Sequence, residues 1–335
     1  MKLRLVAALA LLAGSGWSQA ATTFTVSSWL PPSHLLSRVQ ADWCKRVELK
    51  SSGSMKCNIL PKGVVAAPGT FDAVRDGLAD VSYTVDGYTP GRFVFTQMAE
   101  FPFLGESAVT TSVAYQRIYQ KYFAPLNEHR GVHVLGVFTH GPGIIFNTKK
   151  PVLSAKDGES LKWRIGGGNI NELTKALKWN TSLKPAPASY ELLSTGVMDG
   201  TLFPDESIAS FKLSMIKHAT TFPGGLYNTS FVMMMNPAKY KSLSAADKAI
   251  VDSLSGETVA RMFGEQWDNI DEDSRNGAQK KQGVQRVKAP AAFVKEIQSK
   301  QAALEANWAK AAKAKGLKDP MKVLAEFRAE INKLK

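Results

Sequence analysis

The stretch SLKWRIGGGNINELTKAL, residues 160–177, decides the reading of the fold. Ser160 to Ile165 reads as a strand, three glycines turn the chain, and Asn171 to Leu177 has helical spacing. A strand that runs through a glycine turn into a helix is half of a β-α-β unit. Repeated, such units give an α/β domain with a mostly parallel sheet. Arg164 stands on an otherwise apolar strand beside Gly166, Gly167 and Gly168. The glycines match neither a Walker A loop nor G-x-G-x-x-G, because Asn171 takes the third glycine's place and no Lys-Ser/Thr follows. They predict a tight turn near a binding cleft, where backbone N–H groups could cradle an anion.

The same alternation extends in both directions. Upstream, Thr23 to Trp29 reads as a strand ended by Pro31-Pro32, and Ser33, as N-cap, opens a helix carrying Leu35, Leu36, Val39, Trp43 and Val47. Strands follow at Met55 to Leu60 and Asp80 to Val85, with a helix between them that places Phe71, Val74 and Leu78 on one face. Gly131 to Phe138 is a further strand. Downstream come a helix at Tyr190 to Gly196, strands at Thr201 to Phe203 and Thr229 to Met235, and a helix at Ala245 to Leu254. One long amphipathic helix is predicted over Glu257 to Lys281, then a strand at Val284 to Val287 and helices Ala291 to Lys315 and Pro320 to Leu334. Two α/β lobes and a helical C-terminal third is the expected organisation.

The chain has 335 residues, 44% hydrophobic and 21% charged, which excludes a disordered or fibrous protein. Lys2 and Arg4, the apolar run Leu5 to Ala13 and Ser18-Gln19-Ala20 form a signal peptide cut near Ala20. Its loss lowers the formal charge from +13 to +11. The lysines are scattered and not interleaved with aromatics, so a nucleic-acid groove is not expected. At most the basic field gathers anions. Export makes a disulfide between Cys44 and Cys57 the favoured state, worth about 2–3 kcal/mol, with free buried thiols or a metal pair as the alternatives.

Catalytic signals are sparse. His129 and His133 are separated by Gly131 and do not share a helix face; no zinc spacing and no G-x-S-x-G elbow occurs in the mature chain. Asp205 and Glu206 are a possible acid–base pair, whereas Asp271, Glu272 and Asp273 fall on a helix face expected to be exposed. No metal and no cofactor is implied.

The order of several motifs is more specific. Trp29-Leu30-Pro31-Pro32 is followed by Gly77 to Val81 (G-x-A-D-V), Phe101-Pro102-Phe103-Leu104 and Lys150-Pro151. Next come Leu161-Lys162-Trp163-Arg164, then Pro187, Tyr190, Glu191-Leu192-Leu193 and Gly196-Val197-Met198-Asp199-Gly200. Together these resemble the extracytoplasmic solute-binding proteins of TRAP transporters, the DctP-like family, over essentially the whole mature chain. The resemblance implies a two-lobed periplasmic-binding-protein-like α/β fold with a hinge, a helix spanning both lobes and a ligand enclosed by closure. The lobes would comprise 21–140 with 231–270 and 141–230 with 271–320, followed by a C-terminal helix at 321–335. It also implies that Arg164, on the L-K-x-R strand, pairs with a ligand carboxylate.

Two departures from the family pattern point to the cargo. Phe203 in Thr201-Leu202-Phe203-Pro204 replaces an Asn common in relatives, and the position of a second Arg falls near Gly143. Losing a polar anchor and a cation argues against dicarboxylates and large sugar acids. A compact monocarboxylate is expected: a branched hydroxy acid such as pantoate, a 2-oxo acid or an aromatic acid. Trp29, His34, Tyr88, Glu206 and Asn228 are further wall candidates, since ligands of open α/β sheets sit at the carboxyl ends of strands. Glu206 near a carboxylate would repel it unless protonated or bonded to a ligand hydroxyl; otherwise it pairs with a surface Lys. The expected protein is a monomeric periplasmic receptor serving TRAP membrane subunits, and not an enzyme. The alternatives are an exported enzyme using Asp205 or Glu206, and a sensor module presenting its ligand.

Overall fold

A computed structural model describes residues 21–335; the signal-peptide reading falls outside them. Eleven strands run β1 Thr22–Val26, β2 Met55–Ile59, β3 Val81–Val85, β4 His133–Thr139, β5 Ile144–Asn147, β6 Lys162–Ile165, β7 Asn180–Leu183, β8 Gly200–Phe203, β9 His218–Thr221, β10 Ser230–Met235 and β11 Gln285–Lys288. They form two sheets, ordered β2-β1-β3-β10-β4 and β11-β9-β5-β8-β6-β7. The chain is a two-lobed α/β protein with one sheet per lobe.

Parallel pairing holds where helices intervene, as at β1 with β2 and β3, and β6 with β7 and β8. The expectation of mostly parallel sheets is corrected by one strand within each. β10 lies antiparallel between β3 and β4, and β5 is antiparallel to both β8 and β9. Both strands enter their sheet from the other lobe, so they arrive without the helix that sets parallel direction. β10 (SFVMMM) is buried along its whole length, as a strand covered on both faces should be.

Three local expectations also change. His34, not Ser33, caps the helix Leu35–Lys50: its backbone is extended and its side chain accepts from the Leu36 N–H. β1 ends at Val26, so Trp29 lies in the bend beyond it. Leu78 is 61% exposed, because the helix Thr70–Arg75 stops early and Gly77, at φ +80°, turns the chain away. Cys44 and Cys57 are disulfide-bonded, tying the helix Leu35–Lys50 to edge strand β2.

The long helix is continuous from Glu257 to Gln282, with a π-helical segment at Ser274–Gln279. Its first part packs on the first lobe, where Asp268 accepts from Ala108 N at 2.5 Å and Ser107 Oγ at 2.7 Å. Along the π segment it grips the second lobe, with Gln279 Nε2 donating to Asp205 Oδ1 at 2.7 Å. The change of helix type thus falls where the helix crosses between lobes. The terminal helices Ala291–Ala314 and Pro320–Lys333 cover the join; Trp308 donates to Val94 O at 3.0 Å and stands edge-on to Phe101. Among the described residues, no helix is long and apolar enough to cross a membrane.

Candidate functional site

Between the two sheets lies a cavity with about 440 Å³ of empty space, mouth included. The first lobe and the spanning helix supply Trp29, His34, Tyr88, Phe231 and Trp267; the second supplies Arg164, Phe203, Glu206 and Phe211. The wall is largely aromatic, with its polar groups few and separated.

Arg164 is the central charge. Its side chain is 2% exposed, its Nε donates to Lys184 O at 2.8 Å, and its guanidinium lies 4.2 Å over the Phe203 ring. Phe203 itself stacks on Phe211. No Asp or Glu oxygen comes within 4.0 Å of Arg164 among the described residues. Burial lowers its pKa, with Tyr88 and Tyr227 acting in the opposite direction. A desolvated guanidinium without an anion is unfavourable by several kcal/mol, so the site is poised for a negative group.

Glu206 is 1% exposed, and burial raises its carboxyl to about 7 despite the Ser210 and Ser207 hydroxyls. The surface-Lys alternative is therefore corrected: the side chain points inward. His34 is held near 4 by burial and by the Arg38 charge, so it is neutral at physiological pH. Their closest approach, His34 Nε2 to Glu206 Oε2 at 3.8 Å, is accordingly no ion pair.

Gly143 and Asn228, two residues singled out from the sequence, stand behind the wall and do not line the cavity. A Cβ at Gly143 would lie 2.2 Å from both Cδ1 and Cε1 of Tyr227, so the aromatic ring occupies the space a longer side chain would need. Asn228, with its amide oriented toward its acceptors, donates to Gly141 O at 2.9 Å. Asp205 is tied to Arg286 at 2.6 and 2.9 Å and to Arg275 at 3.2 Å, a buried structural cluster. Asp271, expected on an exposed face, is buried and accepts from Glu206 N at 2.7 Å; burial and the Asp205 charge push its pKa well up. Sequence reasoning passed over Phe211, Phe231 and Trp267 as cavity residues. Only their aromatic character marked them, and the helical spacing of Trp267 reads equally well as core.

The glycine turn closes the cleft in an unexpected way. The first turn of the helix Asn169–Ala176 meets the protein's own carboxylate: Glu100 Oε2 accepts from Asn169 N at 2.7 Å, while Oε1 takes Ser230 Oγ at 2.6 Å. A carboxyl group does sit at this helix start, but it comes from the opposite lobe. Tyr88 Oη accepts from Ala186 N at 2.9 Å in a second bond between lobes.

Burial raises Glu100 to about 7, as it does Glu206. The stability linked to their neutral forms is present in full below the unfolded carboxyl pKa, and is lost as pH rises through about 7. His34 and His140, lowered from 6.5 to about 4, act oppositely: their contribution is present above 6.5 and is lost as pH falls toward 4. The melting temperature of the closed, ligand-loaded protein should thus climb between pH 8 and 6.5, then flatten below. Glu100→Gln should make the climb shallower in a calorimetric pH series. A melting temperature that falls on acidification from pH 8 to 6.5 would contradict this account.

A profile of the bacterial extracellular solute-binding proteins, family 7 (DctP), matches residues 26–314. The chain belongs to this family. Its fold superposes with TM-score 0.90 on a TRAP periplasmic solute-binding protein from Bordetella bronchiseptica with bound (R)- and (S)-mandelate; the two are 42% identical, over 94% of this chain and 100% of that one. A marine-metagenome TRAP solute-binding protein specific for aromatic acids, solved with metahydroxyphenylacetate, is 32% identical with TM-score 0.86, covering 93% and 99%. One from Rhodoferax ferrireducens with copurified benzoate is 27% identical with TM-score 0.86, covering 94% and 98%. As a TRAP solute-binding protein, the chain is built to enclose a small solute between its lobes, and the cavity just described lies between them.

Proposed function

We propose that the protein is the periplasmic receptor of a TRAP transporter for a small aromatic monocarboxylate, clamped by Arg164. The observation that carries this reading is a buried guanidinium with no anionic partner inside an aromatic-walled cavity. A guanidinium offers a planar fork that matches both oxygens of a carboxylate, and Phe203 beneath it holds that plane in place. One unpaired cation suits one carboxylate, and the inward Glu206 disfavours a second negative group. The rings of Trp29, Tyr88, Phe211, Phe231 and Trp267 favour a flat apolar body over a polyhydroxylated sugar acid. The mandelate, aromatic-acid and benzoate relatives support the same choice. Pantoate and the 2-oxo acids fit less well, since neither presents a ring to those walls.

A micromolar Kd corresponds to about −8 kcal/mol. For an acid of about ten heavy atoms that is about −0.8 kcal/mol per atom, which requires near-complete enclosure. The bonds between the lobes at Glu100 and Tyr88 supply the closed state. Enzymatic use of Asp205 is disfavoured because both its oxygens are engaged by Arg286, Arg275 and Gln279. The test is a thermal-shift and calorimetric panel. Benzoate, phenylacetate and mandelate should raise the melting temperature with micromolar or tighter Kd, and be recovered unchanged. A panel in which only dicarboxylates or uronic acids shift the melt would overturn the assignment.

A further inference from the structure

One end of the cavity is left unexplained by a carboxylate clamp. His34 Nδ1 accepts the Leu36 N–H at 3.2 Å, which assigns the ring hydrogen to Nε2. Nε2 lies buried with no partner. Opposite it, Glu206 Oε1 is bonded to Ser207 Oγ at 2.9 Å, whereas Oε2 is also buried and unpartnered. The two bare atoms are 3.8 Å apart, both side chains line the cavity, and each residue is at least nine-tenths buried. Buried polar atoms are rarely left unpaired in native proteins, and two that face each other across a gap call for a shared partner. That partner must accept from an imidazole N–H and donate to a carboxylate oxygen. A hydroxyl does both, and an oxygen about 2.8 Å from each atom fits the spacing.

We propose that His34 and Glu206 form a hydroxyl-reading subsite, so that the cargo is a hydroxylated aromatic monocarboxylate; this rests on Arg164 holding the carboxylate. Water can occupy the place in the empty receptor. A ligand hydroxyl that displaces it keeps both bonds, while a C–H in its position leaves both protein groups bare. The hydroxyl can be carried by the ring or by the α-carbon, and the probes separate the two.

The experiment is isothermal titration of the purified receptor with phenylacetate, 3-hydroxyphenylacetate, mandelate, benzoate and 3-hydroxybenzoate. At least one hydroxylated acid should bind about tenfold or more tighter than its unsubstituted parent, and which one does so locates the hydroxyl. His34→Asn keeps an N-capping side chain but loses the reach into the cavity; Glu206→Leu removes the acceptor. Each should bring the ratio of hydroxylated to parent affinity to within about twofold, whatever it does to the parent acid's own affinity. Wild-type ratios near one throughout, with parent binding still dependent on Arg164, would overturn the subsite and leave the clamp standing. A high ratio that survives both substitutions would also overturn it. Binding that is indifferent to Arg164 would remove the clamp, and the subsite with it.

Discussion

Arg164→Ala is expected to abolish carboxylate binding while the ligand-free protein melts at or above the wild-type temperature. In the closed structure the guanidinium is buried, held by one backbone carbonyl and one aromatic face, with no acidic side chain beside it. Truncation deletes a desolvated charge from the empty protein, which offsets the lost packing on Phe203. In the loaded protein the same change leaves the ligand carboxylate buried and unpaired, costing about 3–5 kcal/mol, or about two to three and a half decades in Kd. Arg164→Lys should recover part of the loss, because it restores charge without the bidentate fork. The measurements are calorimetric titration of the best acid and differential scanning calorimetry without it. Undiminished affinity in the alanine variant would refute the clamp. A melting point several degrees lower would show that Arg164 works mainly as a structural residue.

The second large effect is expected at a position without a side chain. Gly87, in the turn after β3, meets the turn after β6 across the cleft: a Cβ there would lie 2.7 Å from Gly168 N and 2.8 Å from Gly167 C. Those are backbone atoms, held by a turn with φ near +86° and +76°, and cannot yield as a flexible side chain would. Gly87 itself lies outside the left-handed region, so alanine adds little local strain. Gly87→Ala should act as a wedge between the lobes. Overpacking of this kind costs about 1–3 kcal/mol, which falls on the closed state alone. Affinity should drop tenfold to hundredfold with the ligand-free melt little changed. Small-angle scattering should show the variant failing to contract when ligand is added. Wild-type affinity in Gly87→Ala would mean that the lobes do not need this contact to enclose cargo.

These expectations indicate how far the sequence alone could be read. β1, β3 and β10 are legible because each has five or six residues of β-rich sequence bounded by turn signals, and β2 (MKCNI) follows from the turn at Ser51 to Ser54. β5, β7 and β9 have four residues each, and nothing in Asn180–Leu183 or His218–Thr221 separates a strand from a loop. The helix Ala108–Ile118 escaped for the opposite reason, since its Val and Thr residues carry β preference that tertiary packing overrides. The cavity shows the same division. Trp29, His34, Tyr88, Glu206 and Asn228 stand out by nearness to strand ends, and Arg164, Phe203 and Gly143 by the family pattern; all but Asn228 and Gly143 line the cavity. Phe231 and Trp267 come from a central strand and a long helix, where an aromatic residue looks like ordinary core. The facing of His34 and Glu206 was beyond reach, because 172 positions of chain separate two groups that meet only after both lobes have folded.

The aromatic wall has one further consequence. Trp43, Trp163, Trp179 and Trp308 each donate their indole N–H to a backbone carbonyl in a packed interior. Among the described tryptophans, only Trp29 and Trp267 line the cavity, and the Trp267 N–H has no partner. An arriving ring replaces solvent beside two fluorophores and leaves the other four in unchanged surroundings. The receptor thus carries its own optical gauge of occupancy, readable in the colour and intensity of its native emission without any attached dye.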